Sequence, residues 1–164
     1  MTVIGLDDTD SRERGMCTTY AAATVADRLR ARGAAVERLL LVRLNPAVEY
    51  KTRGNAALAV HTDADPDLAV DVASAVIDEA AETADPRTNP GLVVAPGDPD
   101  AVPAAVGEFT MAAIRDHLTV EAAQALADEH GYRVAGWKDA RGVVGALAAV
   151  GARVGLAEGA SEYI

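Results

Sequence analysis

The sequence predicts a mixed α/β domain with a β-α-β-β-α-β core, which is the element order of a ferredoxin-like sandwich. Short apolar runs bounded by Gly, Pro or Asn alternate with longer segments whose apolar residues recur at helical spacing. The 164 residues suffice for one domain, and half of them are hydrophobic, so a disordered tail is excluded.

Four strands and two helices account for residues 1–96. Apolar runs predict strands at residues 2–6, 36–44, 55–61 and 92–95. Helical spacing predicts helices at residues 18–32 and 67–84, and the apolar positions of the first helix are Tyr20, Ala23, Val25 and Leu29. Gly33 ends that first helix, and the Asn89-Pro90-Gly91 turn leads into the fourth strand.

The remaining residues, 97–164, predict a mostly helical extension or the start of a second subdomain. A stretch rich in Gly and Pro at 97–103 resembles a linker. After it the pattern predicts helices at 104–117 and 120–130, a strand at 132–137 and a buried helix at 142–152. Thr119 is suited to cap the second of these helices.

The charge pattern resembles that of proteins from salt-loving archaea. Net charge is −10, and only two lysines stand against thirteen arginines. An acidic chain argues against a nucleic-acid partner in dilute salt. In molar salt that argument loses force, because charges are screened beyond about 3 Å, and local basic clusters become the better guide.

Several classes of protein are excluded by composition. One cysteine, Cys17, excludes a disulfide within the chain and a zinc ribbon. The N-terminus lacks the pattern of a signal peptide, and no apolar run approaches the roughly 20 residues of a membrane span. We therefore expect a cytoplasmic protein with no membrane partner.

The strongest candidate site is the acidic turn Asp7-Asp8-Thr9-Asp10, directly after the first strand. Ligands of α/β folds bind at the carboxyl ends of strands. Three carboxylates within four residues repel one another unless a cation lies between them, and Mg²⁺ with a nucleotide is the usual solution. The alternative is a solvated acidic loop.

Three further segments are candidates for binding phosphate. A loop containing Gly15 leads to Thr18 and Thr19 at a helix start, where phosphate binding and plain N-capping are both open. Lys51 and Arg53 lie in a loop that is either a phosphate site or an ordinary surface hairpin. The helix after Arg141-Gly142 is either a second phosphate site or a closely packed core helix.

Taken together, four segments resemble the archaeal family of isoleucine-tRNA 2-agmatinylcytidine synthetases, TiaS. They are IGLDDTDSRERGMCTTY (4–20), LVRLNPAVEYKTRGNAAL (41–58), TNPGLVV (88–94) and RGVVGALAAVGA (141–152). The match corresponds to the N-terminal, kinase-like catalytic portion. The RNA-binding OB-fold and zinc ribbon of longer members are absent from this sequence.

The resemblance implies an ATP-dependent reaction on tRNA. The family activates the C2 oxygen of the wobble cytidine of isoleucine tRNA as a phosphate ester, and agmatine displaces it. It implies ATP and Mg²⁺ as cofactors, isoleucine tRNA and agmatine as partners, and RNA-binding domains in a longer chain.

The resemblance also implies roles for individual residues. Asp7, Asp8 and Asp10 would hold Mg²⁺ and the phosphates of ATP, and Thr18 would accept phosphate. The residues implied to bind phosphate or the target nucleotide are Gly15, Thr19, Lys51, Arg53, Asn55, Arg141 and Gly142. Where the family tends towards GNGRG, this chain has Lys138-Asp139-Ala140-Arg141-Gly142 and lacks two of the glycines.

Two alternatives stay open from the residues alone. An apolar strand followed by Asp-x-Asp also fits a phosphohydrolase of the haloacid-dehalogenase type, with Asp8 as nucleophile and Asp10 as acid/base. The β-α-β-β-α-β unit also suits a non-catalytic RNA-binding or regulatory module.

Overall fold

A computed structural model of the chain shows one antiparallel β-sheet with helices on both faces. The structure describes residues 1–9, 18–44, 56–80, 88–156 and 162–163. Its strands are β1 (Thr2–Asp7), β2 (Val36–Arg43), β3 (Ala56–Thr62), β4 (Gly91–Pro96), β5 (Arg133–Gly136) and β6 (Glu162–Tyr163). They lie in the order β5-β4-β1-β3-β2-β6, and every neighbouring pair is antiparallel.

Helices form a layer on each face of this sheet. They are α1 (Thr18–Ala31), α2 (Pro66–Ala80), α3 (Ala104–Arg115), α4 (Val120–Glu129), α5 (Gly142–Val150) and α6 (Ala152–Gly155), with a 3-10 turn at Pro99–Ala101. On the first face, α1 and α2 pack against β-strand side chains such as Ile4, Leu6 and Leu58. On the second face, α3, α4 and α5 pack against the alternate residues, such as Val3 and Ala59.

The mixed α/β class is confirmed, and residues 1–96 run strand, helix, strand, strand, helix, strand. The molecule also goes beyond a ferredoxin-like unit, because β5 and β6 extend the sheet at its two edges. The helices after residue 97 pack on the second face of the same sheet. The helix predicted to reach Ala84 is described to Ala80, and residues 81–87 lie outside the described chain.

Helix α1 has a different buried face from the one predicted. Its buried stripe is centred on Ala21, Val25 and Leu29, whereas Tyr20 is 58% exposed. Placing Tyr20 in the apolar face was therefore wrong, because the burial of three small or branched residues sets the rotation of the helix. Gly33, at φ +89°, ends α1 as predicted, with the amide of Ala34 donating to the carbonyl of Leu29.

Helix α5 lies unusually close to the sheet. A β-carbon at Gly5 would overlap the carbonyl oxygen of Ala146, and one at Gly91 would overlap the backbone of Val143. Glycines on both strands thus let the helix backbone approach the strand backbone directly. This close approach fixes the first turn of α5 against the end of β1.

Two smaller expectations concern the C-terminal part. The hydroxyl of Thr119 accepts a hydrogen bond from the amide of Ala122 at 3.1 Å, so the predicted cap of α4 is confirmed. Among the described residues, no helix combines the length and apolarity needed to span a membrane.

Candidate active site

The acidic turn follows β1 directly, and its backbone is unusual. Asp7 is the last residue of β1, and Asp8 takes a left-handed conformation with φ +59°. Aspartate tolerates that region better than most residues. The Asp8 Oδ2 atom accepts a hydrogen bond from the backbone amide of Asn89 at 2.8 Å. The turn is therefore fixed to the segment that leads into β4.

Two threonines join this turn to helix α1. Thr9 is fully buried, and its hydroxyl donates to Thr18 Oγ1 at 3.0 Å. Thr18 is the first residue of α1 and is itself 6% exposed. The contact therefore brings the start of α1 beside the acidic turn. Thr19 follows at the same helix start and is half-buried.

The sequence predicts ligands at the carboxyl ends of neighbouring strands, but this sheet is antiparallel and its neighbouring strands terminate at opposite ends. In a parallel sheet several strands would end beside β1. Here Asp7 pairs with Gly91, the first residue of β4, and Leu6 pairs with Leu58 near the start of β3. The first residues of β3 and β4 therefore lie beside the end of β1.

Asn89 forms hydrogen bonds with three parts of this site, whereas the sequence predicts it only as part of a turn. It is 1% exposed. Its amide donates to Asp8, its carbonyl accepts from the amide of Gly142 at 2.8 Å, and its Oδ1 accepts from the amide of Asp139 at 3.1 Å. Its Nδ2 has no hydrogen-bond partner within the described residues. The only signal in the sequence was an Asn between a threonine and Pro-Gly, directly before a buried strand.

The loop before α5 shows why two missing glycines matter. Lys138 and Ala140 both have φ +58°, a left-handed conformation that glycine adopts most easily. These are the two positions where the resembled family tends to have glycine. The chain therefore holds two residues with side chains in a strained conformation there.

Arg141 and Gly142 are brought to the predicted site by this loop. A β-carbon at Gly142 would lie 2.6 Å from the carbonyl oxygen of Asp7, so only glycine fits between α5 and β1. The Arg141 Nη1 atom lies 3.7 Å from Asp139 Oδ2, a pair open to solvent on the aspartate side. The helix is therefore closely packed, which is one of the two alternatives that the sequence left open. This packing does not depend on whether the segment binds phosphate.

The Asp7 carboxylate lies against the first turn of α5. A β-carbon at Gly145 would overlap Asp7 Oδ2, so this glycine makes room for the carboxylate. The positive end of the helix dipole favours a negative charge there. Oxygen donors of this kind are the ligands that Mg²⁺ prefers, so the chemistry of Asp7 and Asp8 fits the ion.

Part of the predicted site lies outside the described residues: Asp10, Gly15, Lys51, Arg53 and Asn55. Of the predicted metal set of Asp7, Asp8 and Asp10, the structure therefore describes Asp7 and Asp8, and the described residues contain no group of three metal-ligating side chains. Leu44 follows β2 and Ala56 begins β3, both at this end of the sheet. Lys51 and Arg53 lie between these two residues in the sequence.

Comparison with known proteins supports the resemblance. Residues 3–64, which contain the acidic turn, match the family model of the TiaS TCKD domain. This model names the class of domain that the fold and the acidic turn resemble. Over its whole length the chain is 51% identical to the tRNA 2-agmatinylcytidine synthetase TiaS of Haloquadratum walsbyi, of which it covers 36%. It is 41% identical to the TiaS of Methanosarcina acetivorans over 92% of the chain and 35% of that protein.

A solved structure agrees with this. The complex of TiaS with its isoleucine tRNA and ATP superposes with a TM-score of 0.82 and 40% identity, over 92% of this chain and 36% of that one. The predicted resemblance to the TiaS family is thus confirmed, over the N-terminal third of its proteins. These similarities support the synthetase interpretation and give no support to the phosphohydrolase alternative.

Proposed function

We propose that this chain is the ATP-dependent catalytic portion of an isoleucine-tRNA 2-agmatinylcytidine synthetase. The observation that carries the proposal is the convergence of Asp7, Asp8 and Thr18 at one end of the sheet, within the segment that matches the TCKD model. A TiaS structure with isoleucine tRNA, the ATP analogue AMPCPP and agmatine also shares this fold, with a TM-score of 0.79.

The proposed reaction has two balanced steps. In the first, the C2 oxygen of the wobble cytidine attacks a phosphorus of ATP, a P–O bond of the polyphosphate breaks, and the rest of the nucleotide leaves. In the second, the agmatine amine attacks C2, the C2–O bond breaks, phosphate leaves with that oxygen, and the amine loses a proton. Phosphoryl transfer of this kind needs positioned charges more than a strong nucleophile.

In this proposal the side chains of the site position the metal ion and the reacting groups. Asp7 and Asp8, with Asp10, would hold Mg²⁺, which neutralises charge on the transferring phosphate. Asn89 fixes Asp8 through its amide, and Thr9 contacts the hydroxyl of Thr18. In a separate reaction, the Thr18 oxygen would bond a phosphorus of ATP as a P–O bond of the polyphosphate breaks, the rest of the nucleotide leaves and the hydroxyl loses its proton. The proposed phosphate-binding set comprises Gly15, Thr19, Lys51, Arg53, Asn55, Arg141 and Gly142.

The test is calorimetric titration of ATP with Mg²⁺ into the wild type and Asp8→Asn. Asparagine keeps an oxygen that can accept from the amide of Asn89, and it tolerates a positive φ, so the turn should persist. It removes the charge that a metal ligand needs. We expect affinity to fall by at least about tenfold.

The matched control is Asp71→Asn, because Asp71 is exposed in the middle of α2 and outside the acidic turn. It changes net charge equally and should leave ATP binding unaltered. Equal binding by the wild type and Asp8→Asn would refute the role of the acidic turn. A tRNA modification assay with agmatine then tests the activity itself.

The setting of the reaction is also proposed. The chain spans 36% of the Haloquadratum relative, so we assign contacts with the rest of the tRNA to further domains of a longer protein. The lysine-poor, acidic composition and that relative support a halophilic archaeal origin. A tRNA substrate supports a cytoplasmic location.

A further inference from the structure

A polar cavity lies at the opposite end of the sheet from the acidic turn. Its volume is about 390 Å³, which is in the range of small-molecule sites. Its walls include His61 near the end of β3, Arg38 near the start of β2, and Arg153 of α6. β1 is six residues long, so about 20 Å separates the two ends.

His61 presents a buried polar side chain at this cavity. It is 2% exposed, and its Nε2 atom has no hydrogen-bond partner among the described residues. Buried polar groups are nearly always hydrogen-bonded, so such an orphan needs an explanation. A ligand in the cavity that His61 lines would supply the missing partner.

A β-bulge places a positive charge beside this histidine. The pairing of β2 with β3 shifts register between Val36 and Arg38, and Arg38 then pairs directly with His61. Directly paired residues have side chains on the same face of a sheet. Bulges of this kind often re-aim a side chain beside a functional site. Here the bulge sets Arg38 and His61 on the second face.

The third basic group comes from a distant element. Arg153 of α6 pairs with Asp100 of the 3-10 turn, with its Nε atom 3.1 Å from Asp100 Oδ1. Burial is the largest cause that lowers the pKa of His61, to about 4, and the charges of Arg38 and Arg153 lower it further. The charge of Asp100 raises it. Each arginine thus acts on His61 more strongly than Asp100 does, while Asp98, Asp100 and Glu37 line the cavity as acceptors.

We propose that this cavity binds a small oxyanion-bearing metabolite, with a phosphate or carboxylate group held by Arg38, Arg153 and His61. The planar guanidinium fork suits both groups. The acids of the cavity wall would accept hydrogen bonds from hydroxyl or amine donors on the rest of the ligand. The site shares no residue with the proposed ATP site, so either can exist without the other.

The test follows His61 itself by NMR of histidine-labelled protein, titrated with inorganic phosphate and, separately, with sodium acetate. The chain has three histidines, and the spectrum of His61→Asn assigns the signal. We expect saturable shifts of the His61 resonance and a rise in its pKa. Saturation by phosphate alone assigns the phosphate class, and saturation by acetate alone the carboxylate class.

Variants distinguish a site from general screening. Arg38→Gln and Arg153→Gln should each weaken binding at least about tenfold, the loss expected for one charge-assisted contact. The matched control, Arg133→Gln, removes an arginine that pairs with Asp67 at the surface and should leave binding unchanged. Asp8→Asn should also leave it unchanged, which separates this site from the proposed ATP site.

Three results would overturn the proposal. The first is no saturable shift with either anion. The second is an equal shift with sodium chloride at matched ionic strength. The third is full affinity in both Arg38→Gln and Arg153→Gln.

Discussion

The two faces of the sheet are packed by different means. On the first face, large side chains such as Leu29 and Ile77 fill the space between the sheet and its helices. On the second face, Gly5 and Gly91 bring the backbone of α5 onto the backbone of β1 and β4. Side-chain packing can adjust by small rotations, but backbone contact cannot. The candidate active site uses the rigid face, since α5 begins beside Asp7.

The largest expected effect is that of Gly5→Ala. The added methyl would overlap the carbonyl oxygen of Ala146, and a backbone atom cannot rotate away. We expect a loss of at least about 3 kcal/mol in the free energy of unfolding, at the upper end of overpacking effects. Urea denaturation followed by circular dichroism measures it.

Two control variants sharpen this comparison of faces. Gly33→Ala adds the same methyl where nothing lies within 4 Å, so only the strain of φ +89° remains, at about 1 kcal/mol. Ile77→Val removes one methylene from the first face, also at about 1 kcal/mol. If Gly5→Ala costs no more than either control, the second face is not rigid.

The next effect is a pH dependence from His61. Its folded-state pKa of about 4 lies below the ordinary value of 6.5, so the unfolded chain binds the proton more readily. Stability is fully present above pH 6.5 and declines as pH falls towards 4, by at most about 3 kcal/mol. The groups that face His61 are Arg38 and Arg153, with Asp100 opposing them.

His61→Asn checks this origin. Unfolding followed between about pH 7 and pH 4 should show a smaller decline in the variant than in the wild type. An identical decline in both would assign the pH dependence to other groups. Phosphate bound in the cavity should also reduce the decline, because it would favour the charged imidazole.

The smallest expected effect is a gain from Ala140→Gly. Relief of the left-handed strain at φ +58° competes with the greater entropy of glycine in the unfolded chain. The net gain should be below about 1 kcal/mol, seen as a higher midpoint of thermal unfolding. A loss of stability would show that the Ala140 methyl, which packs close to Gly136, matters more than the strain.

Local patterns explain which parts of the site were predictable. An apolar run that ends in carboxylates indicated β1 and its acidic turn, and the helical pattern with a threonine start indicated Thr18. Asn89 was read only as a turn residue, because its three hydrogen bonds join segments far apart in sequence. Tyr20 was assigned to the wrong face for a similar reason, since packing against the sheet sets the rotation of α1.

Local patterns in the sequence predict the α/β class, the element order of residues 1–96 and the resemblance to TiaS, because each depends on neighbouring residues or on a contiguous motif. The folded molecule adds the antiparallel register, which brings Gly91 and Asn89 to Asp7 and Asp8. It also adds the close approach of α5 to the sheet and the pairing of Arg38 with His61. These contacts join segments that lie far apart in the sequence, so no local pattern of residues predicts them.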